Sequence, residues 1–446
     1  MQRIIATWWP LAASWLLMSA EMPALSAVVA RLADPEIHLA AYGGVVFPLA
    51  LIIESPIIML LSASTALSKD WASYQKGRQY MMSAGALLTI LHILIAFTPL
   101  YDILVRQILG APAEIIEPAR IGLKIMLPWT WSIAYRRYNQ GVLIRFGRSR
   151  AIGLGTLIRL SANGLVLISG YLLRDIPGIV VASSAVACGV VCEAVFVGIV
   201  ARPVLAGPLK MAPAVQPPLT WRAFWAFYIP LAMTSLLTLL ANPIGSAALS
   251  RMPDALASLA VWPVVTGLVF MLRSMGIAFN EVVVALLDEP GSYKNLLRFT
   301  WILASITSAG LLVIAATPLS RIWFGQISGL QPDLVALAEQ SLWLAVPLPW
   351  INVFQSWYQG AILNSRRTRG ITESVVVYLL TSALILGGGV LWGRITGVFF
   401  GLAALTLSMV TQTAWLGMRA RGVIAEVRRR DYGQQASLEL VHKTKD

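Results

Sequence analysis

Charged residues, histidines and cysteines are all scarce in this chain. Only 12% of its 446 residues are charged, whereas 57% are hydrophobic, and a soluble core of this length could not bury so much apolar surface. The apolar runs are about 20 to 30 residues long, enough to cross a hydrocarbon core roughly 30 Å thick as tilted helices. Strand-type alternation is missing too, and a chain that crosses lipid without it must be helical. The sequence therefore predicts an all-α polytopic membrane protein with the lipid bilayer as its solvent.

What is missing also excludes several functional classes. The only cysteines, Cys188 and Cys192, lie in an apolar segment without a histidine cluster to complete a metal site. The sequence has no nucleophile with a neighbouring base, no phosphate-binding glycine loop and no zinc-ligand spacing. Its net charge is +13, but no basic stretch of a soluble domain alternates with aromatic residues as in nucleic-acid-binding proteins. We therefore expect neither an enzyme nor a nucleic-acid-binding protein, and no cofactor.

The apolar runs predict twelve transmembrane helices joined by short loops. Basic residues collect in alternate loops, as at Arg148 and at Arg366, Arg367 and Arg369, and in the tail. Because basic loops tend to stay on the cytoplasmic side, we expect both termini to be cytoplasmic and the protein to lie in the inner (cytoplasmic) membrane. The predicted spans are residues 5–31, 38–67, 80–101, 116–144, 152–173, 178–201, 223–250, 256–286, 298–320, 333–363, 371–392 and 396–418.

The second half of the sequence repeats the first at an offset of about 220 residues. Each half holds an even number of spans, six, so the halves form a parallel repeat about an axis along the membrane normal. We predict lobes at 1–202 and 223–418, a proline-rich cytoplasmic linker at 203–222 and a basic cytoplasmic tail at 419–446, with the substrate path between the lobes. The matches include Arg31 with Arg251, Thr98-Pro99-Leu100 with Thr317-Pro318-Leu319, Trp131 with Trp350, and Gln140-Gly141 with Gln359-Gly360.

A short motif in the first two spans resembles a known family. Glu21 is followed by an apolar stretch and then by Leu39-Ala40-Ala41-Tyr42-Gly43, and the progressive ankylosis family has a glutamate before an L-A-x-Y-G stretch at a similar spacing. That family belongs to the multidrug, oligosaccharidyl-lipid and polysaccharide (MOP) exporter superfamily. Its multidrug and toxin extrusion (MATE) members are similar in length, in the six-plus-six repeat and in their kinked first and seventh helices. The resemblance implies a V-shaped exporter with one lobe from each half.

Ionisable residues within the spans are the first candidates for function. A charge at the centre of a membrane helix costs about 2.5 to 3.5 kcal/mol on insertion scales, and such residues tend to face internal cavities. We expect Glu21, beside Pro23, and Glu54 to couple transport to protons or sodium ions. Prolines should kink the first two spans and their counterparts in the second half, and they are Pro10, Pro23, Pro48 and Pro56, with Pro230, Pro243 and Pro263. Arg273 occupies almost the same place in the second half as Glu54 in the first, so these two residues could instead form a structural pair.

Polar stripes at helical spacing occur in the fourth and tenth spans. They indicate either hydrogen bonds between helices, worth about 0.6 kcal/mol each, or a hydrated cavity, and their recurrence at matching repeat positions favours a cavity lined by both lobes. Arginines among these residues favour an anionic substrate. The predicted substrate-binding residues are Arg136, Asn139, Gln140, Arg159, Arg273, Asn352, Gln355 and Gln359.

The leading hypothesis is a monomeric secondary active transporter that exports a small organic or phosphate-containing anion by alternating access. The resemblance to the progressive ankylosis family implies anions such as citrate, pyrophosphate or nucleotides. One alternative is a proton- or sodium-coupled antiporter of cationic drugs that uses Glu21 and Glu54. Others are a flippase for an anionic lipid-linked glycan and, outside transport, a membrane scaffold.

Overall fold

The computed structural model describes residues 1–365 and 369–443, and it describes side chains in these ranges as far as Asp431. Here the chain forms helices and turns and no strand, as the apolar runs predict. Arg366 and Arg367 of the predicted basic loop, and the end of the predicted tail, lie outside what is described. Eleven helical segments of the described ranges are long and apolar enough to cross a membrane. The all-α membrane fold is thus confirmed, whereas the count of twelve spans is not.

Short and interrupted helices alternate with long ones in the first half of the chain. Its π-helical turns are Tyr42–Val46 and Ile103–Leu109, and its α-helices are α1 (Gln2–Ser19), α2 (Glu21–Val29), α3 (Pro35–Ala41), α4 (Phe47–Glu54), α5 (Leu60–Leu67), α6 (Trp71–Phe97), α7 (Leu100–Asp102), α8 (Ala113–Ile125), α9 (Leu127–Arg145), α10 (Arg150–Leu173) and α11 (Gly178–Ala206).

The second half follows the same order with fewer interruptions. It has a π-helical turn at Ile322–Ile327, a 3₁₀ turn at Trp343–Ala345, and helices α12 (Trp221–Leu249), α13 (Ala255–Leu286), α14 (Ser292–Ala316), α15 (Leu319–Arg321), α16 (Pro332–Leu342), α17 (Leu348–Asn364), α18 (Arg369–Trp392) and α19 (Gly397–Lys443).

The predicted span at 116–144 is the one that does not qualify as apolar enough to cross a membrane. It is helical, but α8 ends at Ile125 and α9 begins at Leu127, one residue before Pro128. Its polar side chains, Arg136 and Arg137 among them, lower its mean hydropathy. Arg136 and Arg137 belong to a group of charged residues in the protein interior, as described below, so their polarity serves contacts within the protein.

Helix breaks occur in the first half where the sequence predicts proline kinks. Proline cannot donate a backbone hydrogen bond, and the chain breaks at Ala20, three residues before Pro23, and again after Glu54, two residues before Pro56. In the second half, α12 and α13 run unbroken through their prolines, which the sequence did not predict. Both breaks lie beside a glutamate, so they set the positions of Glu21 and Glu54.

The two halves contact each other closely at one end of the bundle, where α3 and α13 begin. We call this the first-loop end, and it is the end predicted to be extracellular. A Cβ atom on Gly43 would lie 2.7 Å from the ring of Pro263, and one on Gly44 would lie 3.0 Å from Leu259. The two glycines therefore allow the π-helical turn at Tyr42–Val46 to approach α13 more closely than larger residues would.

Helix α1 packs along α13 of the second half. The indole Nε1 of Trp8 donates to the carbonyl oxygen of Met275 at 3.0 Å, and Arg3 forms an ion pair with Glu289 at 2.7 Å. In the opposite direction, the hydroxyl of Tyr228 in α12 donates to the carbonyl of Pro56. The first helix of each half thus contacts the other half.

The predicted linker at 203–222 is anchored to the start of α6. Asp70 caps α6 by accepting the backbone N–H of Ser73 at 2.8 Å, and its other oxygen accepts the N–H of Val215 at 2.8 Å. Burial raises the pKa of Asp70, but the hydrogen bonds from Ser73 and Val215 outweigh this and hold the pKa below its usual value. Lys76 donates to the carbonyl of Leu219 at 2.5 Å. Residues near the middle and end of the linker are thus fixed to the first half.

Candidate functional site

Three glutamates and three arginines of the first half gather in its interior. We call them the paired cluster, and its members are Glu21 (α2), Glu54 (α4), Arg136 and Arg137 (α9), Arg159 (α10) and Glu193 (α11). Three positive and three negative charges balance if all six residues are ionised. A buried charge is tolerated when it is paired and hydrogen-bonded, so this balance lets six ionisable residues share a membrane-embedded interior.

Glu193 lies at the centre of the paired cluster. Its Oε2 atom accepts a hydrogen bond from Nη1 of Arg136 at 2.5 Å, and its Oε1 atom accepts one from Nε2 of Gln140 at 3.0 Å. Nε of Arg159 lies 3.8 Å from the same carboxylate. The side chain of Glu193 is only 1% exposed and that of Arg136 only 6%, so water contributes little to the solvation of either charge. This ion pair replaces the water that both residues would otherwise need.

Glu21 extends the paired cluster towards the helix break at Ala20. Its Oε2 atom lies 3.0 Å from Nη2 of Arg159, and its Oε1 atom accepts a hydrogen bond from the amide of Asn163 at 2.8 Å. A continuous chain of contacts therefore runs from Glu21 through Arg159 and Glu193 to Arg136. Adding a proton to Glu21 would remove the charge that Arg159 faces on this side.

Glu54 is the most isolated carboxylate of the paired cluster. Glu54 is only 2% exposed. The charges that act on its carboxylate are those of Arg137 and Arg136. Within the described part of the chain, Oε2 of Glu54 has no hydrogen-bond partner. The alternative prediction of a structural pair between Glu54 and Arg273 finds no support, because no ion pair joins them among the described residues.

Glu193, which holds the paired cluster together, is not among the residues predicted from the sequence. The acids predicted from the sequence are Glu21 and Glu54, in the first two spans. The sequence does contain a signal, because Glu193 is a lone glutamate in the otherwise apolar span at 178–201. An ionisable residue inside the membrane is energetically expensive, and this alone makes it a candidate for function. The structure brings the predicted residues Arg136, Gln140 and Arg159 together around Glu193.

A cavity of about 370 Å³ lies in the second half, and we call it the Arg273 cavity. Helices α12, α13, α17, α18 and α19 all contribute to its wall. The predicted residues Arg273, Asn352, Gln355 and Gln359 line it together, as the polar stripe in the tenth span predicts. All of its lining residues come from the second half, however, so the expectation of one cavity lined by both lobes is wrong for this cavity. The predicted residue Asn139 does not line this cavity. Its side chain donates to the carbonyl of Tyr135 in its own helix at 2.9 Å.

Arg273 is the charged residue of this cavity, and it has no ion-pair partner within the described part of the chain. The ionisable residue that acts on it electrostatically is Tyr378, which lines the same cavity. Three buried polar atoms here, Nε of Arg273, Oδ1 of Asn352 and Oε1 of Gln355, make no hydrogen bond to the described protein. The cavity therefore offers one positive charge and several amide groups without any carboxylate.

The internal repeat relates the paired cluster to the Arg273 cavity position by position. At an offset of about 220 residues, most members of the paired cluster correspond to neutral polar residues that line the Arg273 cavity, and one acid corresponds to Arg273 itself. The pairs are Arg136 with Gln355, Arg137 with Ser356, Arg159 with Tyr378, Glu193 with Gln412, Glu54 with Arg273, and Glu21 with the apolar Ala241. The same interior region is thus electrically balanced in one half and carries an unbalanced positive charge in the other.

Two repeat-related arginines connect the halves at the first-loop end. Arg251, at the end of α12, donates to the carbonyls of Leu109 at 2.8 Å, Ile108 at 2.6 Å and Gln107 at 3.1 Å. Arg31, at the end of α2, donates to the carbonyl of Gln326. Arg251 therefore binds the last three carbonyls of one π-helical turn, and Arg31 binds the last but one of the other. The helix dipole favours a cation at this end of a helix.

Glycines at the same two turns allow this approach. Gly110 and Gly329 have φ angles of +68° and +72°, and a Cβ atom at either position would lie 3.1 Å or 2.9 Å from the facing guanidinium. We call Arg31 and Arg251, with the turns that they bind, the paired clamps. The sequence showed that Arg31 matches Arg251, but it did not show their partners.

Comparisons with known proteins show which solved structures share this fold. No protein-family model and no curated protein matches the sequence, but solved structures do. A multidrug resistance MATE family transporter of the MOP superfamily, in an inward-facing conformation, aligns with a TM-score of 0.60 and 17% identity over 92% of this chain and 95% of that chain. The lipid II flippase MurJ, in an inward closed conformation, aligns with a TM-score of 0.71 and 13% identity over 98% of this chain and 93% of that chain.

A third match is a MOP superfamily transporter from Pyrococcus furiosus, whose binding pocket is described as having reverse polarity. It aligns with a TM-score of 0.58 and 18% identity over 94% of this chain and 96% of that chain. At such identities the matches show the fold alone, and the resemblance to the progressive ankylosis branch is not confirmed. The chain has the fold that MATE transporters of the MOP superfamily share with MurJ.

Proposed function

We propose that the protein is a secondary active transporter that exports a small organic or phosphate-containing anion by alternating access, with the anion bound at Arg273. The observation that carries this proposal is an arginine without an acidic partner in a cavity lined by amides. Guanidinium groups bind carboxylates and phosphates through paired hydrogen bonds, and an arginine within a membrane needs an anion, water or a carboxylate beside it.

The size and polarity of the Arg273 cavity distinguish the alternatives. Its volume of about 370 Å³ lies near the lower end of the roughly 300 to 1,000 Å³ typical of small-molecule sites, which suits a small anion better than a lipid-linked glycan. A cationic drug would be repelled by Arg273 and would find no carboxylate there. Solved structures of this fold include one described as having a pocket of reverse polarity, so pockets in this fold can differ in polarity.

The paired cluster is the element that we assign to ion coupling. Glu21 and Glu54 are its candidate acids, and a proton is the simplest coupling ion because it can neutralise a carboxylate without needing a cavity; sodium is the alternative. Since Arg136 and Arg159 already contact Glu193 and Glu21, their charges are largely satisfied. We therefore assign these two arginines to the coupling cluster, and direct anion binding to Arg273, Asn352, Gln355 and Gln359.

Proteoliposomes test the function itself. We expect labelled citrate, pyrophosphate or nucleotide to move under an imposed proton or sodium gradient, and labelled cationic drugs not to move. Arg273→Gln should abolish this transport, whereas Arg298→Gln, at an exposed position of the same half, should leave it intact. Gradient-driven transport of cations that survives Arg273→Gln would contradict the proposal.

The coupling assignment has a separate test. Glu21→Gln removes the ionisable carboxyl but retains a hydrogen-bonding group for Asn163, so the protein should fold. Transport driven by a proton gradient should be lost, while anion binding should remain. Transport by this variant with the pH dependence of the parent protein would refute the role of Glu21.

A further inference from the structure

Two cavities on the outside of the helix bundle have no part in the proposed transport. The larger, of about 870 Å³, lies between α14, α17 and α19, and the smaller, of about 370 Å³, lies between α9 and α11. At the repeat offset of about 220 residues, every residue that lines the smaller cavity corresponds to a residue that lines the larger one. We call them the twin slots. The two halves related by the internal repeat thus share a cavity at the same place on their outer surface.

The walls of the twin slots are aromatic and their rims are apolar and exposed. Trp131 and Tyr135 line the first slot, and their counterparts Trp350 and Phe354 line the second. Large apolar side chains at the rims, such as Ile199 at 54% and Met418 at 49%, are exposed. In a protein whose solvent is the bilayer, exposed apolar rims of this kind face acyl chains.

Glycines of the repeat leave room for the aromatic walls. A Cβ atom on Gly198 would lie 2.6 Å from the hydroxyl oxygen of Tyr135, and one on its counterpart Gly417 would lie 3.3 Å from the ring of Tyr358. Larger residues here would push the rings outwards and fill the slots. The depth of each slot therefore depends on the sequence of its own helix.

Each slot ends at an exposed arginine on a helix that leaves the predicted membrane span. Arg202 follows the span at 178–201, and its counterpart Arg421 follows the span at 396–418. Arg428 also lines the larger slot. An arginine just beyond a span lies at the depth of the lipid phosphates, where anionic lipids attract basic residues. The predicted sidedness places both slots in the cytoplasmic leaflet.

We propose that the twin slots are binding sites for anionic phospholipids, with the lipid phosphate at Arg202 or Arg421 and an acyl chain against the aromatic wall. The charge of the arginine matches an anionic headgroup, and the apolar wall matches a chain; no soluble anion would use both. The second slot has more than twice the volume of the first, and we expect it to hold its lipid more tightly.

Native mass spectrometry of the full chain, released from nanodiscs of zwitterionic phosphatidylcholine, tests this proposal with phosphatidylglycerol as the probe. Two phosphatidylglycerol molecules should bind in preference to phosphatidylcholine. Arg421→Gln should weaken the tighter binding about fivefold, the scale of one arginine near an anionic surface, and Arg202→Gln should weaken the other. Arg174→Gln, an exposed arginine on the opposite side of the predicted membrane, is the matched control and should change neither.

Further controls distinguish lipid binding from the binding of a soluble phosphate, and a loss of binding from a loss of folding. Glycerol phosphate added in excess should not displace the lipid, and Trp350→Ala should weaken binding although it leaves the charge intact. Equal melting temperatures of the variants in phosphatidylcholine show that they are folded. Displacement by glycerol phosphate, or lipid binding that is the same in the double variant Arg202→Gln/Arg421→Gln as in the parent protein, would overturn the proposal.

Discussion

At the scale of single residues, Glu193 decides whether the interior of the first half is stable. Its carboxylate contacts Arg136 and Gln140 directly and approaches Arg159. Removing one partner of a buried ion pair costs more than removing both, because it leaves an uncompensated charge in a medium of low dielectric constant. The second half shows the neutral solution, with Gln412 and Gln355 at the equivalent positions.

This comparison predicts the behaviour of a single and a double variant. Glu193→Gln should destabilise the protein by about 3 to 5 kcal/mol, the usual cost of breaking a buried pair, and thermal unfolding in detergent measures it. The double variant Arg136→Gln/Glu193→Gln copies the residues of the second half and should recover most of the loss. A double variant less stable than the single one would contradict the pairing described here.

The sequence predicted part of the site at this scale. Polar residues at helical spacing placed Asn352, Gln355 and Gln359 on one face, and the structure puts them in one cavity with Arg273. Pairing across helices was less accessible: Glu193 and Arg136 are far apart in the sequence, and only tertiary packing brings them to 2.5 Å. A lone glutamate in an apolar span raises the free energy of membrane insertion, which makes it a candidate for function. It does not identify the residue with which it pairs.

At the scale of helices, the paired clamps hold the halves together at the first-loop end. Each clamp binds carbonyls that end a π-helical turn of the other half, so separating the halves here would leave those carbonyls and two guanidiniums without their partners. In the alternating access that we propose, this end must open for substrate to be released there. The clamps are therefore the contacts that opening must break.

Removing the clamps should favour the open arrangement. In Arg31→Ala/Arg251→Ala, electron paramagnetic resonance between spin labels at Asp34 and Asp254, one in each half, should show a larger share of long distances than in the parent protein. Arg174→Ala, at the same end but without a hydrogen bond to the other half among the described residues, should not change the distribution. Distances that are unchanged in the double variant would show that the clamps do not hold this end closed.

Helix positions were predictable from the sequence to a greater extent than helix interruptions. Apolar runs of membrane length and the repeat located the long helices, because lipid imposes length and hydrophobicity directly. Matching prolines at Pro23 and Pro243 predicted kinks in both halves, yet only the first half breaks there. Glu21 bonds to Arg159 and Asn163, whereas its counterpart Ala241 carries no polar group, so a tertiary contact accompanies the break.

At the scale of the whole molecule, the two halves share a fold and differ in charge. The interior of the first half is electrically balanced and rich in ion pairs, which suits a structural and coupling role. The interior of the second half keeps one arginine and several amides around a cavity, which suits anion binding. Duplication followed by this divergence would give one protein a coupling half and a binding half.

Equilibrium binding to Arg273 tests this central claim most directly. The labelled anion that proteoliposomes transport best should bind the purified protein, and Arg273→Gln should weaken binding about 10- to 100-fold, the scale of hydrogen bonds to a charged group. Arg273→Lys should retain part of the affinity, since it keeps the charge but not the paired geometry. Arg298→Gln should bind as the parent protein does. Unchanged anion affinity in Arg273→Gln, with the protein folded, would contradict the account.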